Sequence, residues 1–270
     1  MRDRRSNEVY SYAVREIRLY DSLSGELVPV TAGDAIRVEV RTSPVGTEGA
    51  VDVSSTRPFV LFSFLERFLQ GEGFGTKFLF DSPTGEDTLY ELSEDHDAPG
   101  AAGEPDGDDG DTEMSLLQVS RSDVERWVNV CFGADREGRE WPPASPSERI
   151  LLTDALKLFG HPAVALYLLG THYSLPLGDA FTGLTTGSKH AQRIREVLRK
   201  LTPHHPSPPD MHHHVEAFRD ALANDLDTPT AFVVLFEWVL EAERRGGSIG
   251  DGDLRAMLDV LELNELASPA

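Results

Sequence analysis

Five imidazoles crowd one short stretch of the chain, at His204, His205, His212, His213 and His214. Imidazole nitrogens ligate zinc or nickel, so this stretch could hold a metal. Its prolines, Pro203, Pro206, Pro208 and Pro209, mark a loop, and no spaced set of cysteines or carboxylates completes a site. A solvated loop is the expected reading, with a metal site as the alternative. The single thiol, Cys131, follows a segment that reads as an amphipathic helix. A buried structural cysteine is expected there in preference to a reactive thiolate. Lys189, Arg193, Arg195, Arg199 and Lys200, with His190 and one acid, Glu196, give another helix a basic character. That is the pattern of a solvated helix face or of a docking site for an acidic partner.

The elements that must position such groups fall into two halves. In the first, Val14–Tyr20, Ala35–Val40 and Thr76–Phe80 read as strands, each β-branched or aromatic with partial alternation. Between the last two, Pro58–Gln70 reads as a buried helix: Phe59, Val60, Phe62, Phe64, Leu65, Phe68 and Leu69 cover most of its circumference. Strand, helix, strand is a βαβ unit and implies a parallel sheet. Residues 82–112 are rich in Gly, Pro, Asp and Glu and read as a disordered acidic loop. Helices are expected around Asp123–Val130, Leu152–Phe159, Pro162–His172, Ser188–Leu201, Met211–Asn224, Thr228–Arg244 and Asp251–Leu263. Thr228 is the expected N-cap of its helix and Pro229 its first residue. Trp127, Phe236 and Trp238 read as core. A Pro/Ser-rich link at Trp141–Ser147 divides a sheet domain, 1–147, from a helical bundle, 148–270.

Composition narrows the classes. A hydrophobic content of 40% is ordinary for a globular protein, and no apolar run is long enough to cross a membrane. The charged start, Met1 to Arg5, is followed by no apolar h-region, and a single cysteine excludes an internal disulfide, so a cytoplasmic protein is expected. Net charge is −21, but 13 of the 46 acids lie between Asp81 and Glu113, where there is no Lys or Arg. The remainder still carries 33 acids against 25 bases, which argues against nucleic-acid binding.

Two segments carry a family resemblance. Residues 217–229, AFRDALANDLDTP, are similar to the "F…AM–D–DFNTP–A" run of cysteinyl-tRNA synthetases. Residues 153–174, TDALKLFGHPAVALYLLGTHYS, resemble that family's "RDLLKRYGPEALRLFLLSTHYRS". Weaker matches follow in the same order upstream: Ile17–Gly25 with "LYNTLTRK", Phe59–Leu69 with "YVVFDVLRRYL", and Glu113–Gln118 followed by Trp127 with "ENEIAQ…YWM". The resemblance implies an α/β then all-α fold: a reduced Rossmann-like domain of the class I, HUP type, followed by a C-terminal helical bundle of the stem-contact, DALR-like kind. His172 and Tyr173 match the family's "THY" and are expected to form a helix-end packing cluster.

The same resemblance locates the chemistry. The family's HIGH motif, whose histidines stabilise charge on the phosphates, falls on Asp52, Val53, Ser54 and Ser55. Both imidazoles are gone, and one position holds a carboxylate. The KMSKS motif, whose lysines neutralise pyrophosphate, falls near Trp141, Pro142, Pro143, Ala144 and Ser145, with no lysine. Arg57 and Arg139 are the candidate residual phosphate contacts. The zinc ligands that select the substrate thiolate fall on Ser43, Asp111 and Ser115, which are not thiolates or imidazoles. The expected function is a synthetase-like paralogue without catalytic residues, cofactor or zinc, acting as a binding or accessory protein. The partner is expected to be a protein, with tRNA binding weak or absent and no membrane. The alternative is an ATP-dependent cysteine ligase or synthetase with a rebuilt site, which would use ATP.

Overall fold

The computed structural model describes residues 15–31, 34–41, 51–74, 77–81, 87–91, 126–141, 149–246 and 249–267. Strands β1 (Arg18–Asp21) and β2 (Glu26–Pro29) form a two-stranded antiparallel hairpin. Asp21 builds its turn, accepting the backbone N–H groups of Leu23 and Ser24, each at 2.9 Å. Four further strands, β3 (Asp34–Val40), β4 (Lys77–Asp81), β5 (Asp87–Glu91) and β6 (Arg126–Phe132), make one sheet in the order β5-β4-β3-β6. β3 pairs in parallel with β4 on one side and with β6 on the other, and β5 closes the edge antiparallel to β4.

The expected βαβ unit is present. Helix α1 (Arg57–Gly71) carries the chain from β3 to β4 with Pro58 in its first turn. Its buried residues, Leu61, Phe64, Leu65, Phe68 and Leu69, form one stripe at helical spacing.

Two upstream expectations are corrected. The helix expected around Asp123–Val130 is not found in its described part: from Arg126 the chain is β6, and Val128, Val130 and Phe132 are buried alternately. A period of two with β-branched residues is a strand signal, satisfied here by parallel pairing along the whole of β3. Within the acidic stretch, Asp87–Glu91 is strand rather than loop, since Thr88, Leu89 and Tyr90 are strand-forming types and β4 offers an open edge. The rest of that stretch lies outside the described residues.

The helices follow as α2 (Leu152–Phe159), α3 (His161–Leu169), α4 (Ala180–Leu198), α5 (His213–Ala223), α6 (Thr228–Arg245) and α7 (Gly252–Val260). One buried apolar cluster joins Ile17, Ile36, Val38 and Val130 to Phe218, Leu235, Trp238 and Leu258. Trp238 is wholly buried, as expected of a core residue, while Trp127 and Phe236 are half-buried. A smaller cluster gathers Val53, Ala155, Tyr167, Leu168 and Leu184. No helix among the described residues is long and apolar enough to cross a membrane.

The start of α6 differs by one residue from the expectation. Asp227, not Thr228, is the N-cap: its carboxylate accepts Thr230 N–H at 3.1 Å and the Thr230 hydroxyl at 2.8 Å. The Thr228 hydroxyl is buried and donates to Leu169 O at 2.5 Å.

Helix α4 starts at Ala180, eight residues before its expected start, because Asp179 caps it by accepting Thr182 N–H at 2.8 Å. The intervening Gly183 and Gly187 lower helix propensity, but they let α3 approach. A Cβ at Gly187 would lie 2.5 Å from Ala163 O, and one at Gly183 would lie 2.2 Å from the Tyr167 ring. Gly187→Ala is therefore expected to lower stability by ~1–3 kcal/mol through overpacking, outweighing ~1 kcal/mol of helix propensity gained. Urea denaturation checks this; an alanine variant as stable as the parent would show that the two helices need no glycine.

Candidate functional site

In an open α/β sheet, ligands bind beyond the carboxyl ends of the strands, where neighbouring strands leave in opposite directions. Here that point is the end of β3, flanked by β4 on one side and β6 on the other. The loop after β6, residues 133–141, reaches it, with Gly138 O accepting from Arg41 at 2.8 Å. Trp141, the first residue of the KMSKS-matched segment, stacks on Arg57, two residues past the HIGH-matched segment.

The segment at Asp52 is a self-bonded turn. The Asp52 carboxylate Oδ1 accepts Ser54 N–H at 2.9 Å, and Asp52 O accepts the Ser55 hydroxyl at 2.7 Å. Oδ2 is buried without a hydrogen-bond partner among the described residues. Ser54 Oγ lies 3.2 Å from the Tyr167 hydroxyl, which in turn donates to Gly178 O at 3.1 Å. Val53 is in the core, and its N–H donates to Ile150 O at 2.9 Å, fixing the turn to the start of α2.

Arg57 does not face this crevice as a free cation. It is wholly buried. Its Nε donates to Leu168 O at 2.8 Å, Nη1 to Leu175 O at 2.6 Å, and Nη2 to His172 O at 3.0 Å and to Thr171 O. The indole of Trp141 lies over the guanidinium, 4.9 Å from its centre. Burial lowers the Arg57 pKa to about 10, which leaves it charged at neutral pH. The carbonyls just past the C-terminal end of α3 supply the compensating negative potential. Arg57 is thus a clamp on that end of the helix.

The other nearby cations are also engaged. Arg41, at the end of β3, donates to Glu39 Oε1 and Gly138 O, each at 2.8 Å. Arg139 is exposed and donates to Asp135 Oδ2 at 2.6 Å and Glu137 Oε2 at 3.0 Å. Cys131, on β6, is half-buried, and burial with Glu39 nearby pushes its thiol up to about 11. A protonated thiol is a poor nucleophile, consistent with a structural cysteine. Pro142, Pro143, Ala144, Ser145, Ser43, Asp111 and Ser115 lie outside the described residues.

The histidine stretch is locally bonded. His205 Nδ1 lies 2.9 Å from Pro203 O, His213 Nδ1 2.8 Å from Asp210 O, His214 Nδ1 3.0 Å from Met211 O, and His212 Nδ1 3.2 Å from Asp253 Oδ1. No group of three or more His, Cys, Asp or Glu among the described residues could hold a metal ion. The basic helix is α4. Lys189, Arg199 and Lys200 are exposed, and Arg195 is half-buried. Arg193 pairs with Glu243 of α6 at 2.5 Å. Lys200 is also close enough to help lower the Glu243 pKa, so part of this charge is neutralised within the fold.

A second polar centre was not singled out from the sequence. Asp225 is buried with φ of 62°, and Leu226 follows at 51°. The Asp225 carboxylate accepts Tyr20 N–H at 2.8 Å, Arg136 Nη2 at 2.7 Å and the Tyr173 hydroxyl. Its carbonyl lies 3.0 Å from His172 Nε2, and its N–H donates to Arg18 O at 2.8 Å. His172 and Tyr173 stack at 4.6 Å. The expected helix-end cluster is therefore real, and Asp225 is its centre. The available signal was the Asn-Asp pair, since these residues tolerate the left-handed region.

No family model matches the chain. A cysteine–tRNA ligase from Cupriavidus pinatubonensis is 26% identical over 155 residues, covering 57% of this chain and 34% of the ligase. One from Parvibaculum lavamentivorans is 30% identical over 138 residues, covering 46% and 28%. One from Fervidobacterium nodosum is 28% identical over 100 residues, covering 35% and 21%. The matched regions span about a fifth to a third of these relatives. A solved LeuRS from Agrobacterium radiobacter K84 overlaps 54% of this chain and 23% of its own at 17% identity and a TM-score of 0.39, too loose to match residues. The fold is mixed α/β with additional helices, and over the matched part the chain is class I aminoacyl-tRNA synthetase-like. More narrowly, its sequence there is similar to cysteine–tRNA ligases.

Proposed function

We propose that this chain is a cysteine–tRNA ligase-like protein that has given up amino-acid activation and acts by binding, with a protein as its partner. The observation that carries the reading is Asp52. Where the family's first motif places an imidazole toward the triphosphate, this chain has a carboxylate that caps its own turn. A fixed negative charge there opposes a polyphosphate. The described arginines supply no replacement: Arg41, Arg57 and Arg139 each spend donors on carbonyls or carboxylates of the chain itself. The sheet would then be a reduced Rossmann-like unit whose crevice no longer serves a nucleotide. Zinc does not suit the matched positions either, because Ser43, Asp111 and Ser115 offer two hydroxyls and a carboxylate where a thiophilic site needs thiolates. The acidic balance of the chain supports weak or absent tRNA binding.

The test is pyrophosphate exchange with cysteine and ATP. Removing one preorganised donor costs a rate factor of ~10²–10³, so loss of both motifs is expected to leave exchange at background. Robust exchange that depends on cysteine would overturn the reading.

A further inference from the structure

Away from the crevice, α4 and α6 lie side by side, and the surface they share leaves apolar and basic groups in water. The His190 ring sits 4.3 Å from the Phe236 ring, and Arg193 Nη2 donates to Glu243 Oε2 at 2.5 Å, so the helices meet along one seam. On α6, Val233, Phe236 and Leu240 follow at i, i+3 and i+7, the spacing of a single helix face. That face is accessible: Val233 is 58% exposed and Leu240 43%, with Phe236 half-buried between them. His190 extends the apolar surface, because burial, with Arg193 nearby, lowers its pKa and keeps the ring uncharged at neutral pH. Cations border the same seam. Lys189 lies four residues before Arg193 and so shares its side of α4. Lys200, just past the end of α4, is close enough to Glu243 to help lower its pKa. Both lysines are exposed, and neither makes a hydrogen bond or ion pair among the described residues. Arg193 and Glu243 satisfy each other, which leaves the two lysines there against Glu196.

An exposed apolar stripe running beside unpaired cations suits an amphipathic helix laid along it. We infer that this face docks a protein helix whose apolar side covers Val233, Phe236 and Leu240 and whose flanking carboxylates reach Lys189 and Lys200. Charge complementarity selects the acidic occupant, and Glu237 sets its orientation. Glu237 is exposed on the edge of the stripe away from α4, so it repels carboxylates from that side. The apolar stripe selects protein over nucleic acid: phosphates would satisfy the lysines but leave Val233 and Leu240 in water. The chain's net charge of −21 opposes an acidic partner only weakly, because salt screens charges beyond about 8 Å and leaves the nearby lysines to act. The inference names the partner chemistry of the binding role above and rests on that role. Pyrophosphate exchange tests the loss of activation separately, so failure of either can be recognised.

The experiment uses the full chain and a fluorescein-labelled synthetic amphipathic helix of leucine and glutamate, titrated by anisotropy near physiological salt. Saturable binding is expected, weakened roughly tenfold or more by Val233→Gln with Leu240→Gln, and by Lys189→Gln with Lys200→Gln. Lys157→Gln removes an exposed cation from α2 and is expected to stay within about twofold, as distant charge contributes little at this salt. All the changed side chains are exposed, so the variants are expected to melt near the parent, which separates lost docking from lost folding. Weakening by Lys157→Gln equal to that by the paired lysine changes would reduce the effect to bulk charge and overturn the inference. So would a labelled RNA hairpin that binds more tightly than the peptide and depends on Lys189 and Lys200 but not on Val233 and Leu240, because the face would then serve a polyanion. No saturable binding of the peptide would overturn it as well.

Discussion

Arg57→Met is expected to destabilise the protein by ~3–5 kcal/mol, the range for breaking a buried charged interaction by removing one partner. Methionine fills much of the same volume but donates nothing. The carbonyls of Leu168, Thr171, His172 and Leu175 would all lose the donors that now reach them. A buried acceptor left unsatisfied costs ~1–3 kcal/mol, and relaxation or water entry recovers only part of that for a group of four. The stack on Trp141 would be lost at the same time. For a chain of this size ~1 kcal/mol shifts the melting temperature by ~2–4 °C, so a fall of roughly 6–20 °C is expected. Arg57→Lys is expected to rescue little, because one ammonium cannot span carbonyls that a planar fork reaches together. Thermal melts of both variants decide. A phosphate contact would behave in the opposite way: the variants would melt near the parent and lose affinity for ATP. That result would return Arg57 to the role its position in the sequence resemblance suggested.

The contrast shows what the sequence could and could not disclose. The β3–α1–β4 unit was legible because each part signals locally, through alternation in the strands, a proline in the first helical turn and an apolar stripe along α1. The strand β6 was not, because Trp127, Val128, Val130 and Phe132 suit either an amphipathic helix or a buried strand over so short a span. Only pairing with β3, almost a hundred residues upstream, selects the strand. The early turns of α4 were hidden for a related reason. Gly183 and Gly187 argue locally against helix, and their use is the close approach of Ala163 and Tyr167 on α3. At the candidate site, Asp52 and Trp141 were singled out through the resemblance, but the hydrogen bonding that occupies Arg57 could not be read from it. Its acceptors are backbone carbonyls 111 to 118 residues away, and a carbonyl leaves no trace in side-chain identity.

Asp225→Ala is expected to cost ~3–4 kcal/mol, from two effects that an asparagine control separates. The first is conformational. Asp225 holds φ of 62°, where alanine is disfavoured by ~1–2 kcal/mol and Asp or Asn is tolerated. The second is the loss of an acceptor for three donors from different segments: Tyr20 N–H on β1, Arg136 beyond β6 and the Tyr173 hydroxyl beyond α3. Tyr173 is almost wholly buried, so its hydroxyl has no water to turn to. Burial and the adjacent carboxylate hold its pKa well above the ordinary tyrosine value, which keeps the hydroxyl a donor at neutral pH. The side-chain amide of an Asp225→Asn variant would keep the backbone conformation and one acceptor oxygen while turning its N–H₂ toward one of the three donors. Stability is therefore expected to fall in the order aspartate, asparagine, alanine. Tyr173→Phe adds a double-mutant cycle: if the hydroxyl bonds to this carboxylate, its deletion should cost much less in the alanine background than in the parent. Urea midpoints for the parent, the single variants and the double variant give the answer. Equal, sub-kilocalorie losses for asparagine and alanine, with additive effects of Tyr173→Phe, would mean that the junction of β1, the loop after β6 and the end of α3 is held by apolar packing and not by Asp225.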